Sequence, residues 1–486
     1  MRKTIILTVL VLLTYKGISQ TCDCYSNLKW LIETFENNDA GFQYIINKKG
    51  DGYYSYFTKE KLKKSKNIEN IVECQNLMND WLSFFRKGHI GVSLNIQNKI
   101  KTIETLYDTL NINKKDFIDY LEKKQIDKFE GVWKIDSLYT VGIILDNSSK
   151  VKESDYTRKY IGFIINSNMS SWSTYQIKLE IFKSQKDSSY MMKYYTGDHT
   201  LQRFNNVELL GNSYIKSGFI ILEKSFPKTT NKISELEIKF FKNNFPFASE
   251  ISNNTMYLRI PSFRINHKKL IDSIIIENFN KFTSHKNLII DIRNNDGGSD
   301  LSFQKILPLL YTNPIRIIQV EYLSTKLNLK PLLNIVNDSV SDAETKKFCK
   351  NLAEKMESNP NKFVSLNDKI VNEIKFDTIY KHPSKVAILI NSNCVSSAEQ
   401  FVYEARQSYK VKLFGTSTFG AIDISNVNSL TFSTDNRFTL WYSVSKSSRI
   451  PDLIADDIGF QPDYYFDKTI KSYQWIDKTV EILNYK

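Results

Sequence analysis

Two short apolar runs limit what this chain can fold into more than any other feature. Leu288 to Ile292 is apolar at every position but Asp291, and Val386 to Ile390 is apolar throughout. A strand with one wet face alternates in polarity, whereas a strand apolar on both faces must be covered on both, as in a sheet between helices. Helical patterns accompany both runs, one through Ile274 and Phe279 before the first and one reaching about Tyr409 after the second. Tyr257 to Ile260 supplies a further strand. Residues 250–475 therefore read as an α/β domain.

The preceding chain reads differently. Residues 25–125 are patterned as helices: one opens at Leu28 to Ile32, a longer one runs through Cys74 to Phe85, and Asp116 to Lys124 gives a third. Gly88 is placed to cap the long one. From residue 129 to 245 the period becomes two, with β-branched or aromatic runs at Tyr139 to Leu145, Tyr160 to Ile165, Tyr175 to Phe182 and Phe219 to Leu222. This is the pattern of an inserted antiparallel β module. Cys74 and Cys349 lie on apolar stripes and read as packing residues. Pairing of Cys22 or Cys24 with Cys74 remains open.

The first twenty residues read as a signal peptide. Arg2 and Lys3 precede the apolar run Ile5 to Leu13, and Gly17 to Gln20 offers small residues for cleavage. The run is too short to span a bilayer, and no later stretch reaches the roughly twenty apolar residues that a span needs. Thr21 disfavours acylation of Cys22, so the expectation is an exported, periplasmic or secreted protein. With 41% hydrophobic and 13% aromatic residues the chain is a folded one. The formal charge is +13. The lysines are dispersed and no nucleic-acid module is present, so a nucleic-acid partner is not expected. No CxxC pair or histidine cluster points to a metal, and no cofactor is implied.

Chemistry concentrates at the ends of the two apolar strands. The first runs into Arg293-Asn294-Asn295-Asp296-Gly297-Gly298, where two glycines let the backbone turn with its N–H groups exposed. The second runs into Asn391-Ser392-Asn393-Cys394-Val395-Ser396-Ser397-Ala398-Glu399. Ser396 at a strand-to-helix turn suits a nucleophile, but Ser396-x-x-Glu399 is equally a helix capping box.

In this order LIIDIRNNDGG, VAILINSNCVSSAEQF, FGTSTFG and GFQPD, with MYLRIPSF at Met256 to Phe263, resemble the tail-specific (C-terminal processing) serine proteases, which include the tricorn core and the retinoid-binding proteins. The resemblance implies a ClpP/crotonase-like core of ββα units and peptide-bond hydrolysis through Ser396. It also implies an oxyanion hole from Gly297, Gly298 and the N–H of Ser397. The family's Ser–Lys branch places its base where this chain has Ala421, which cannot accept a proton. The tricorn-like branch carries a Gly-His turn upstream, matched by Arg86-Lys87-Gly88-His89-Ile90-Gly91, which makes His89 the candidate base. An acidic residue before the Gly-x-x-Pro-Asp element maps to Asp456, with Asp457 as competitor, to orient the histidine.

The expectation is an exported serine peptidase acting on a peptide or protein. The alternative is an inactive binding protein on the same fold, taking a peptide, lipid or glycan. Residues 129–245 lack the Gly-rich carboxylate-binding loop of a PDZ domain.

Overall fold

The two apolar runs lie side by side as parallel strands, Asn287–Asp291 against Lys385–Ile390. The computed structural model describes residues 22–94 and 109–485, apart from 124, 147–150, 154, 198, 200, 219, 229–232 and 342. The expected signal peptide, residues 1–20, lies outside them, as does Phe219. The strands sit in a six-stranded sheet ordered Phe247–Ser252, Thr255–Arg259, Asn287–Asp291, Lys385–Ile390, Val411–Gly415, Tyr464–Tyr465. Its first pair is antiparallel and the other neighbours are parallel. Ile271 and Phe401, from helices Ile265–Glu277 and Ser397–Ala405, pack with Leu258, Ile290 and Ile388 in one core. Each such side chain contributes roughly 1.5–3 kcal/mol on burial. Asp291, the polar exception, is fully buried. Burial works to raise its carboxyl, but the guanidinium groups of Arg293 and Arg259 hold it below the usual range.

The N-terminal helices belong to the same compact unit, which comprises residues up to 99 together with 246–465. They are Cys24–Asn38, Phe42–Lys49, Asp51–Ser65 and Ile71–Leu82. Their apolar faces meet a five-stranded antiparallel sheet in which strand Phe438–Ser447 is flanked by Gly91–Leu94, Ile424–Thr431 and Val320–Leu323. Leu28, Phe35, Trp81 and Phe85 share a core there with Leu440 and Tyr442. Cys24 and Cys74 form a disulfide, so Cys74 is a cross-link as well as a core residue, while Cys22 and Cys349 are free and buried. The helix expected to run to Phe85 ends at Leu82. Gly88 is therefore not its cap and has a different use, described below.

The second unit comprises residues 100–245 and 466–486. The alternating segment forms a ten-stranded antiparallel sheet, as its period of two requires. Helix Lys114–Lys123 lays Phe117 and Leu121 against Val132, Phe163 and Ile165 of this sheet. It was expected with the N-terminal helices; its burial against sheet residues draws it here instead. Helix Trp475–Asn484 also belongs to this unit, although the catalytic domain was expected to reach 475. Among the described residues, no helix is long and apolar enough to cross a membrane.

Candidate active site

Ser396 stands between strand Lys385–Ile390 and helix Ser397–Ala405 with φ 59° and ψ −121°. This left-handed backbone is uncommon for a residue with a side chain, and such strain collects at functional turns. Ser396 occupies the N-cap position, yet its side chain makes no cap hydrogen bond. The capping-box reading therefore fails, and the half-buried hydroxyl is not committed to the helix end. Glu399, the other half of the expected box, is still reached by the Ser396 backbone N–H but has its main partners in residues 418–421.

The glycine turn closes on this serine. A Cβ built on Gly297 (φ 90°) would lie 2.8 Å from the Ser396 Cβ and 2.7 Å from the Val395 carbonyl oxygen, so only glycine allows the approach. The Gly297 N–H donates to Asn295 Oδ1 at 2.9 Å. It is thus occupied, which corrects its expected role as an oxyanion donor: Gly297 supplies clearance. Among the described residues, the N–H groups of Gly298 and Ser397 have no acceptor. Gly298 is held by the Phe263 strand end, where Phe263 N–H reaches Gly297 O at 3.0 Å and Ser299 N–H reaches Phe263 O at 2.9 Å.

Asparagines lock the two strand ends together. Asn294 N–H donates to Asn391 Oδ1 at 2.9 Å, and the Asn391 and Asn393 amides donate to Asn294 Oδ1 at 2.8 and 2.9 Å. Val395 N–H donates to the Asn295 carbonyl at 3.0 Å. These residues carry no catalytic role in the sequence motifs. Their signal is the asparagine density of RNND and NSN, since asparagine tolerates left-handed backbone and bonds locally.

His89 lies in the N-terminal segment, just ahead of strand Gly91–Leu94. Gly88 packs on Ala421: a Cβ on Gly88 would meet the Ala421 Cβ at 2.5 Å. The Gly-His turn and Ala421 are thus direct neighbours. Lys87 N–H donates to Asp457 Oδ1 at 3.2 Å, so Asp457 anchors the turn. His89 Nδ1 lies 2.9 Å from the Ile424 carbonyl oxygen. A carbonyl only accepts, so Nδ1 carries the proton and Nε2 keeps a free lone pair. Burial and the nearby Arg86 cation lower the His89 pKa, against the opposing pull of the Ile424 carbonyl.

Asp456 does not orient His89 directly. Its Oδ1 accepts the N–H groups of Ile422 (2.6 Å) and Asp423 (2.7 Å), and its Oδ2 accepts that of Ile424 (3.2 Å). Glu399 accepts the preceding two, Gly420 and Ala421, both at 2.8 Å, and the Thr418 hydroxyl at 2.6 Å. Two carboxylates thereby hold five consecutive N–H groups, and the last residue of that run presents the carbonyl that orients His89. Burial pushes Asp456 up to about 6, and raises Glu399 as well. Among the described residues, no cluster of His, Cys, Asp and Glu could hold a metal ion.

Residues 254–466 match the family described as Peptidase family S41. No curated protein sequence matches the chain. Among solved structures it is similar to mature CPAF complexed with lactacystin, at 13% identity and TM-score 0.50, over 95% of this chain and 97% of that one. It is also similar to the photosystem II D1 C-terminal processing protease, at 9% identity and TM-score 0.39, over 96% and 98% of the two chains. The tricorn protease matches at 10% identity and TM-score 0.39, over 95% of this chain and 37% of that one. At such identities the likeness concerns the fold.

Proposed function

We propose, from the match of residues 254–466 to peptidase family S41, that this chain is an exported serine peptidase with Ser396 as nucleophile and His89 as base. The observation that carries the reading is the strained Ser396 turn, with its hydroxyl uncommitted and Gly297 cleared against it. Ser396 Oγ attacks the scissile carbonyl carbon while His89 Nε2 takes its proton. The oxyanion accepts from the Gly298 and Ser397 N–H groups, each donor worth roughly 2.7–4 kcal/mol in such sites. Collapse breaks the C–N bond as His89 returns the proton to the leaving amine, and water then releases the acyl group by the reverse route. Asp456 and Glu399 serve one step removed, by fixing residues 420–424.

The substrate is a peptide or protein, and no cofactor enters this chemistry. The Cys24–Cys74 disulfide supports an oxidising compartment, in keeping with export. The same reading takes the covered sheet as ClpP/crotonase-like ββα units. The test is peptide hydrolysis by two variants. Ser396→Ala should abolish turnover, and Ser397→Ala, which keeps the backbone donor, should retain much of it. The reverse result would move the nucleophile by one residue.

A further inference from the structure

The helix that begins at Ser396 also builds a cavity at its other end. Tyr403 in its last turn and Arg406 just beyond line a space of 350 Å³ with Arg316, Leu453 and Phe460. Arg406 lies ten residues after Ser396, about 15 Å along the helix axis, so this cavity is separate from the nucleophile turn. Its wall is mainly apolar, from Phe460, Leu453 and the Tyr403 ring, with neighbours Ile318 and Val371.

Its charge is one-sided. Among the described residues, neither Arg316 nor Arg406 has a carboxylate in ion-pair range, whereas the neighbouring Arg449 is paired with Asp423 at 3.1 Å. Glu373 stands opposite Arg316 in the strand register but pairs with Lys375 at 3.1 Å. Glu404, next to Tyr403 in the chain, is buried, its Oε1 accepting from Gln400 and its carboxyl pushed up to about 7 by burial, so it offsets only part of the positive charge at neutral pH. The Tyr403 hydroxyl is raised by burial against the pull of Arg449, Arg316 and Arg406, with the Arg449 guanidinium 4.9 Å from the ring centroid. It stays protonated at neutral pH and is available as a donor.

We propose that this cavity binds a carboxylate carried on an apolar body. The carboxylate lies between the Arg316 and Arg406 guanidinium groups and the Tyr403 hydroxyl, and the body packs on Leu453 and Phe460. Guanidinium suits this role because its planar fork donates two parallel hydrogen bonds to one carboxylate. The volume fits a single amino-acid residue or a short acyl chain, at the small end of ordinary ligand cavities. Two sources share this chemistry, a free aliphatic acid and the carboxyl end of a peptide.

The test is calorimetric titration of the full chain with octanoate and with N-acetyl-phenylalanine, each beside its uncharged primary amide. At least one acid should bind, and its amide should bind about tenfold or more weakly, the worth of one charge-assisted hydrogen-bond pair. Octanoate alone would identify the free acid as the source, N-acetyl-phenylalanine alone the peptide end, and binding of both would assign the shared chemistry. The double variant Arg316→Gln, Arg406→Gln should lose the same factor while its unliganded melting temperature stays unchanged. Equal binding of acid and amide would overturn the proposal. So would undiminished affinity in the double variant, or no binding of either acid up to about 1 mM. The assay needs no turnover, so it stands or falls apart from the assignment of Ser396.

Discussion

The pH dependence of this site rests on two residues whose environments act in opposite senses. Burial and the Arg86 cation lower the His89 pKa, so its neutral form persists to more acid pH than for an ordinary imidazole. The acid limb of kcat/KM should therefore fall below the usual 6.5, and His89→Ala should cost about 10²–10⁴ in rate. Asp456 is shifted the other way, to about 6 from 3.8. A raised carboxyl pKa means the folded state holds the proton more tightly, so its contribution is present at low pH and is lost as pH rises through about 6. Chemical denaturation across pH 4–7 should show the wild type losing up to about 3 kcal/mol relative to Asp456→Asn over that window. Ser396 and the glycine pair were legible because they sit in short local motifs. The partner of Asp456 was not, because the N–H groups it binds come from residues 422–424, brought to it only by the fold. Gly88 likewise looks like a helix cap until its contact with Ala421 is seen.

At the scale of elements, the segment 420–424 links the helix that follows Ser396 to His89. Glu399 grips its first two N–H groups from the helix that Ser396 opens, and Asp456 grips the next three. Glu399→Ala leaves these N–H groups without their acceptor, a loss of about 1–3 kcal/mol for each one left unsatisfied. Its kcat should fall with little change in KM, because the base is displaced and the substrate contacts are not. Gly297→Ala should lower serine labelling by about 100-fold, since the methyl group would meet Ser396 and the Val395 carbonyl. The Cys24–Cys74 bridge closes a separation of 50 residues, worth about 4 kcal/mol in the chain-entropy account, and reduction should lower the unfolding midpoint accordingly. Strands and helices were readable where hydrophobic period decides them, as in the two apolar runs and the alternating module. The expected capping box was not formed, because Glu399 finds a hydroxyl and two N–H groups from residues 418–421 in its reach.

The whole molecule divides less simply than its sequence. The matched family segment begins at 254, yet the candidate base lies at 89. Strand Gly91–Leu94 pairs with Phe438–Ser447, and the N-terminal helices share a core with Leu440 and Tyr442. Residues 246–465 expressed alone should therefore expose that sheet and show no cooperative unfolding transition, whereas co-expression with residues 22–99 should restore it. Sequence periodicity cannot reveal this partition, because contacts such as Lys87 with Asp457 span 370 positions and leave no local trace. The central claim is that Ser396 is a nucleophile activated by His89. The most direct measurement is the site and rate of fluorophosphonate modification, read by mass spectrometry of the intact and digested protein. One adduct is expected, on Ser396, formed far more slowly in His89→Ala and absent from Ser396→Ala. An unmodified wild-type protein, or an adduct at another residue, would contradict the central claim and favour a binding protein on this fold.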